Sequence, residues 1–321
     1  MPRFLSRLAV AGTAVVLAAG LTTPTTARAA AKPAERTPAL TWVAMGDSFT
    51  AGVIEATGPE TEPRDGCART VRSYPEIIRR DLGSLVELSN VSCSGATSLD
   101  VHANKQSPLG RPLPPLGTDP DAPYPPVPPQ TDAVDPDTRV ITVGVGGNDL
   151  GFGRILKDCI ELGATHLGQG TPCKDKYAAQ LPGRLDRLRT DYGTMLLALH
   201  RRAPSAKVIT VGYPHLIPED AGRCQYGDLL QFATFTTGDL AWARTSVLEP
   251  LNAVIAQESG AQQDTFVDLY PASAGHSACD PEHWVDGVLT SVVPLTYALV
   301  HPNALGQAFA AARIEDVVLG G

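Results

Sequence analysis

The chain has little that would anchor it in a membrane or hold a metal. After residue 29 no stretch approaches the roughly 20 consecutive apolar residues that a bilayer-spanning helix needs, so no integral membrane association is expected. Neither Cys-x-x-Cys nor His-Glu-x-x-His occurs. The common zinc-ligand spacings are therefore missing, and no metal is expected. There is no Gly-x-Ser-x-Gly elbow either, which argues against the α/β-hydrolase arrangement. Gly144-Val145-Gly146-Gly147 follows an apolar run, but Asp149 stands where a dinucleotide fingerprint needs its third glycine. A Rossmann cofactor site is not expected. No internal repeat or long linker divides residues 39–321, which read as one domain. Positive charge is also in deficit. The net charge is −8, and it becomes more negative without Arg3, Arg7 and Arg28. An acidic surface disfavours nucleic acid as a partner.

One long apolar run does exist, at the N-terminus. Arg3 and Arg7 precede Leu8 to Leu21, and Ala27-Arg28-Ala29 offers small residues where a signal peptidase reads. This pattern predicts a signal peptide over residues 1–29, too short in its apolar core to span a bilayer. Residues 30–38 then form a disordered leader, and the protein is expected to be secreted and extracellular. Six cysteines follow: Cys67, Cys93, Cys159, Cys173, Cys224 and Cys279. An even count in an oxidising compartment reads as disulfides. Sequential pairing (67–93, 159–173, 224–279) is favoured because it staples loops between core elements, each bond adding about 2–4 kcal/mol.

Strand candidates alternate with helical periodicity. Thr41–Met45, Leu85–Val91, Arg139–Val145, Ala206–Val211 and Thr265–Leu269 are short and β-rich. Arg72–Leu82, Leu181–Arg202, Leu240–Glu258 and Asn303–Leu319 carry apolar residues at helical spacing, with Asn303 placed to cap the last. Alternation of this kind predicts an α/β fold with a parallel sheet covered on both faces. Ligands bind such sheets beyond the C-terminal strand ends. Between Ser107 and Gln130 lie ten prolines, which exclude helix and ladder and predict a long stiff loop. The loop reads either as a surface excursion or as a wall over the site.

Four islands fall at these strand ends or helix starts. Gly46-Asp47-Ser48 follows the first strand, Ser92-Cys93-Ser94-Gly95 the second, and Gly144-Val145-Gly146-Gly147-Asn148-Asp149 the third; His301-Pro302-Asn303 precedes the last helix. A serine hydroxyl needs a base within hydrogen-bond reach to become nucleophilic, and His301 is the candidate. Attack on an ester carbonyl builds an oxyanion, which the Ser48 and Gly95 amides and the Asn148 side chain can receive. Asp47 reads as a structural hydrogen-bonder and Asp149 as a cap. His102, His166, His200, His215 and His276 read as ordinary surface or loop histidines, and His283 is a mild rival to His301.

Together the four islands resemble those of the SGNH, or GDSL, hydrolases. The serine, glycine, asparagine and histidine of that family's blocks match Ser48, Gly95, Asn148 and His301 in order, and the wider text is similar to secreted actinobacterial esterases and lipases. The resemblance implies a flavodoxin-like three-layer α/β/α sandwich. It also implies a cofactor-free serine esterase or lipase, acting as a monomer on small-molecule or lipid esters through an acyl-enzyme. Phospholipase A and polysaccharide deacetylase activities use the same blocks, and an inert secreted binding module is the alternative of a different class. The chain departs from many members at Ala298, where an aspartate would complete a triad. A backbone carbonyl of Ala298 or Leu299 is then expected to orient His301, with Asp286 or Asp280 as rival partners from other loops.

Overall fold

The inner strands are apolar along most of their length because both faces of the sheet are covered. In a computed structural model that describes residues 38–53, 60–111 and 119–319, five strands run parallel: β1 (Leu40–Gly46), β2 (Val86–Asn90), β3 (Val140–Gly144), β4 (Lys207–Val211) and β5 (Thr265–Val267). The expected signal peptide, the leader up to residue 37 and residues 112–118 of the proline-rich loop lie outside the described residues. The order β2-β1-β3-β4-β5 is that of flavodoxin-like sheets. Along β1, Trp42 and Ala44 pack with the helices Tyr74–Leu82 and Ala304–Val318. Val43 and Met45 point the other way, onto the helices Leu181–Arg202 and Glu249–Gln262. Period-two alternation between two apolar layers makes the three-layer α/β/α sandwich.

Most element ends fall within two residues of those expected, for identifiable reasons. Pro75 sits in the first turn of Tyr74–Leu82, and Gly83 stops it. Asn303 caps the last helix through bonds from the Leu305 and Gly306 amides at 3.0 and 3.2 Å. The helix expected over Leu240–Glu258 differs more. It begins at Thr237 and contains a π-helical stretch, Ala243–Leu248, before continuing as Glu249–Gln262. Pro250 lacks an amide for the α ladder, and the wider turn keeps its ring off the Ser246 carbonyl. The periodicity missed the helix Phe152–Thr165, shorter helices such as Ser98–His102 and Pro172–Tyr177, and an antiparallel hairpin of β6 (Leu289–Val292) and β7 (Leu295–Tyr297).

Three disulfides pair as expected, Cys67–Cys93, Cys159–Cys173 and Cys224–Cys279, with Cα separations of 4.2, 5.0 and 5.2 Å. The first binds the segment after Ser48 to the loop that carries Gly95.

Candidate active site

The sheet order reverses between β1 and β3, and the four islands meet outside that switch point. β1 ends at Gly46, whose φ of +147° suits glycine alone. A Cβ there would stand 2.3 Å from Thr50 Oγ1 and 2.4 Å from the Gly144 carbonyl. The Gln130 side chain clamps this glycine, accepting from its amide at 2.8 Å and donating to its carbonyl at 2.9 Å. The chain then turns into the short helix Ser48–Ala51, capped by Asp47, whose Oδ1 accepts from the Phe49 amide at 2.9 Å. Asp47 is buried, and burial pushes its carboxyl up to about 7 against the bonds from Tyr213 and Phe49 that favour the anion.

Ser48 Oγ lies 2.7 Å from His301 Nε2, across 253 residues of chain. On the other side of the ring, Nδ1 lies 2.9 Å from both the Ala298 and the Leu299 carbonyls. Those acceptors assign the proton to Nδ1 and leave the Nε2 lone pair toward the serine. Two carbonyls can converge on one nitrogen because Leu299 and Val300 adopt φ of +54° and +60°. A β-branched residue in the left-handed region is strained, and neighbours must hold it there. Val300 donates to the Gly287 carbonyl, and Ala298 and Leu299 both donate to that of Val288. Phe49 lies against the imidazole at 4.8 Å. Burial of the ring pushes His301 down to about 4, opposed only by the two carbonyl bonds.

The carboxylates considered as rivals are engaged elsewhere. Asp286 Oδ1 accepts from Asn303 at 2.9 Å and faces His283 Nε2 at 3.4 Å. Asp280 accepts from the Ser277 amide and hydroxyl. His283 contacts the Asp280 carbonyl rather than Ser48.

The three expected oxyanion donors, on Ser48, Gly95 and Asn148, line one cavity. The Ser48 amide opens a helix, where no intrahelical acceptor exists. Gly95 has φ +84°, and a Cβ there would press on Leu109 at 2.9 Å. Its turn is held by Gln106, which donates to the Ser94 carbonyl at 2.8 Å, and by the Ser94 amide bonded to the Cys67 carbonyl. Among the described residues neither the Ser48 nor the Gly95 amide meets a protein acceptor. Asn148 uses one N–H on the Ala96 carbonyl at 3.0 Å, which orients the amide and leaves its second N–H. Asp149 reaches the start of the helix Ser98–His102, which Thr97 caps, and accepts from the Ser98 amide and hydroxyl.

These groups open into a cavity of about 420 Å³. Its wall is mostly apolar, with Leu109 from the proline-rich loop, Leu216 from the loop after β4, and Phe152, Leu156, Leu248 and Leu251 from the helical layer. The loop is thus a wall of the cavity as well as a surface excursion. Leu216 faces this cavity. Ile217, Phe232 and Phe235 surround a separate small void behind Phe152 and Leu156. Phe152, Leu156, Leu248 and Leu251 were not foreseen, because their spacing is that of any helix facing a core. Tyr213, within Gly212-Tyr213-Pro214, is a further residue whose place beside Asp47 the sequence did not signal.

The chain is similar to known proteins along most of its length. Residues 44–309 match the GDSL-like lipase/acylhydrolase family. Lipase 2 of Streptomyces coelicolor is 32% identical over 98% of this chain and 97% of its own length. An esterase of Streptomyces scabiei is 30% identical over 90% of this chain and 88% of its own. In fold, the chain resembles phospholipase A1 from Streptomyces albidoflavus, with a TM-score of 0.63 and 24% identity over 87% of this chain and 99% of that one. An extracellular lipase from Streptomyces rimosus aligns with a TM-score of 0.60 and 23% identity, over 87% of this chain and all of that one. A family match across most of the chain, with relatives alike along nearly their whole length, settles the assignment: this chain belongs to the GDSL-like lipase/acylhydrolase family.

Proposed function

We propose that this ester hydrolase works through an acyl-enzyme on Ser48. His301 takes the hydroxyl proton at Nε2 as Ser48 Oγ attacks the ester carbonyl, and then donates it to the leaving alcohol. Water, deprotonated by the same nitrogen, attacks the acyl-enzyme carbonyl and releases the acid with Ser48 restored. The Ser48 and Gly95 amides and the free N–H of Asn148 receive the oxyanion in both steps. The Ala298 and Leu299 carbonyls hold the ring and its tautomer, the task a carboxylate performs in a triad. The observation that carries the reading is the 2.7 Å contact between Ser48 Oγ and a histidine nitrogen whose other side is occupied, at the edge of an apolar cavity.

A cavity of this lining favours an acyl chain over a sugar, so the substrate class is lipid or other apolar carboxylic esters. The supporting relatives are a lipase and an esterase by name. Every group in the scheme comes from one chain, so a monomer suffices. The signal-like N-terminus and three disulfides support export. The test is hydrolysis of p-nitrophenyl esters from acetate to palmitate, a triglyceride, a phosphatidylcholine and an acetylated xylan, by wild type beside Ser48→Ala. Turnover rising with acyl length and absent from Ser48→Ala is expected. An active Ser48→Ala enzyme would overturn the mechanism, and turnover confined to acetylated xylan would overturn the substrate class.

A further inference from the structure

Tyr213 follows β4 and reaches into the gap between the loops after β1 and β3. Its hydroxyl donates to Asp47 Oδ2 at 2.5 Å and accepts from the Gly147 amide at 2.9 Å. Its backbone is fixed on both sides by one residue of the neighbouring helix. Its amide donates to Asn252 Oδ1 at 2.8 Å, and its carbonyl accepts from Asn252 Nδ2 at 2.9 Å. The ring stands edge-on to Phe49 at 4.9 Å, and Phe49 in turn lies against His301. One buried hydroxyl therefore ties the residue before Ser48 to the residue before Asn148.

We propose that Tyr213 is a positioning residue, which holds the Ser48 and Asn148 oxyanion donors at their working separation by bridging Asp47 and Gly147. This rests on the acyl-enzyme reading, and it adds a residue that touches neither nucleophile nor base. The polarity of the bridge has one consistent solution. The Gly147 amide can only donate, so the hydroxyl accepts there and sends its own proton to Asp47. Asp47 Oδ1 already accepts from Phe49. Both carboxyl oxygens are acceptors, the arrangement of an ionised Asp47. An amide at position 47 would keep the bond from Phe49 but turn an N–H toward the hydroxyl, leaving the phenol proton without an acceptor. The other titratable groups acting on Asp47 are Asp149, Tyr74 and Tyr192.

The test compares Tyr213→Phe, Asp47→Asn and the double variant on a soluble short-chain ester. Fluorophosphonate labelling of Ser48 is followed in parallel, because the tetrahedral adduct places an oxygen where the oxyanion would sit. Tyr213→Phe keeps the ring and its packing on Phe49. Its kcat and its labelling rate are expected to fall together by about tenfold to a hundredfold, with KM within about twofold. Asp47→Asn should lose a similar factor. The double variant should lose no more than either single change, because both break one bridge. Should Tyr213→Phe fail to fold, Asp47→Asn carries the same reading with the tyrosine in place. An unchanged kcat in either folded variant, or losses that multiply in the double, would overturn the proposal. An active Ser48→Ala enzyme would instead sink the acyl-enzyme reading on which it rests, so the two failures are distinguishable.

Discussion

The position of His301 makes the acid limb of the pH profile the sharpest prediction. An unperturbed imidazole titrates near 6.5, and burial moves this one to about 4 with only two neutral carbonyls in opposition. The base form is therefore the resting form at every pH above about 4. At pH 5 about nine-tenths of the enzyme keeps a neutral His301, against about one part in thirty for an ordinary histidine, a contrast of about thirtyfold. The assay is kcat/KM on a soluble p-nitrophenyl ester between about pH 4 and pH 8, with product read after alkaline quenching. That parameter reports the free enzyme's groups. Enzyme held at each pH and returned to neutrality separates titration from unfolding. Asp47, at about 7, adds a shallower step above the main limb, and Asp47→Asn removes that step. Full loss of activity centred between pH 6 and 7, in both wild type and Asp47→Asn, would refute a desolvated His301 as the base.

Three further outcomes follow from the same geometry. Asn148→Ala removes one oxyanion donor, so kcat on the same ester should fall ~10²–10³-fold with KM little changed; a rise in KM alone would deny it that role. Leu156→Trp fills the cavity wall, and the ratio of kcat/KM for palmitate over butyrate esters should drop at least about tenfold, measured on the two substrates in one buffer. In wild type Asp47 is protonated more readily in the fold, about 7 against the ordinary 3.8, so its contribution to stability falls as pH rises through that window. The melting temperature of Asp47→Asn relative to wild type should accordingly be higher at pH 8 than at pH 5, and an equal difference at both would contradict the buried charge.

What could be read from the sequence was the part that breaks local monotony. Gly46, Gly95 and Asn148 stand out because a glycine or asparagine at a strand end or a few residues past it announces a special turn, and the alternation of elements puts those turns on one edge of the sheet. Ala298 was legible as a missing carboxylate, and the structure places the Ala298 and Leu299 carbonyls together on Nδ1. The cavity wall was not legible. Leu156 and Leu251 repeat at helical spacing among other buried leucines, and nothing in a one-dimensional pattern tells a residue facing a void from one facing a core. Tyr213 was hidden for another reason. Its partners lie 66 and 166 residues away, and a tyrosine after a strand gives no sign of which buried acceptor its hydroxyl finds. The hairpin before His301 fell between two periods, its strands too short at four and three residues to show alternation.

The features that oppose the local rules are concentrated where the serine and histidine meet. Val300 is β-branched yet left-handed, Asp47 is a buried carboxylate with no cationic partner among the described residues, and His301 is an imidazole held where it resists protonation. Each is unfavourable alone, and each serves orientation in this arrangement. The left-handed pair turns two carbonyls onto Nδ1, the carboxylate receives the Tyr213 hydroxyl, and the desolvated ring keeps its Nε2 lone pair toward Ser48. A sequence free to relax would place glycine at 300 and a neutral side chain at 47, and the fold would gain stability from both. Retaining costly residues at these positions fits a site built around a neutral base without a carboxylate behind it. Such a base depends on geometry more than on charge, because a backbone carbonyl stabilises imidazolium less than an aspartate does. The surrounding shell must then supply rigidity in place of that charge. Gln130 on Gly46, Asn252 on Tyr213 and Gly287 on Val300 are bonds of this kind, each joining a strand-end loop to an element that does not touch the ester.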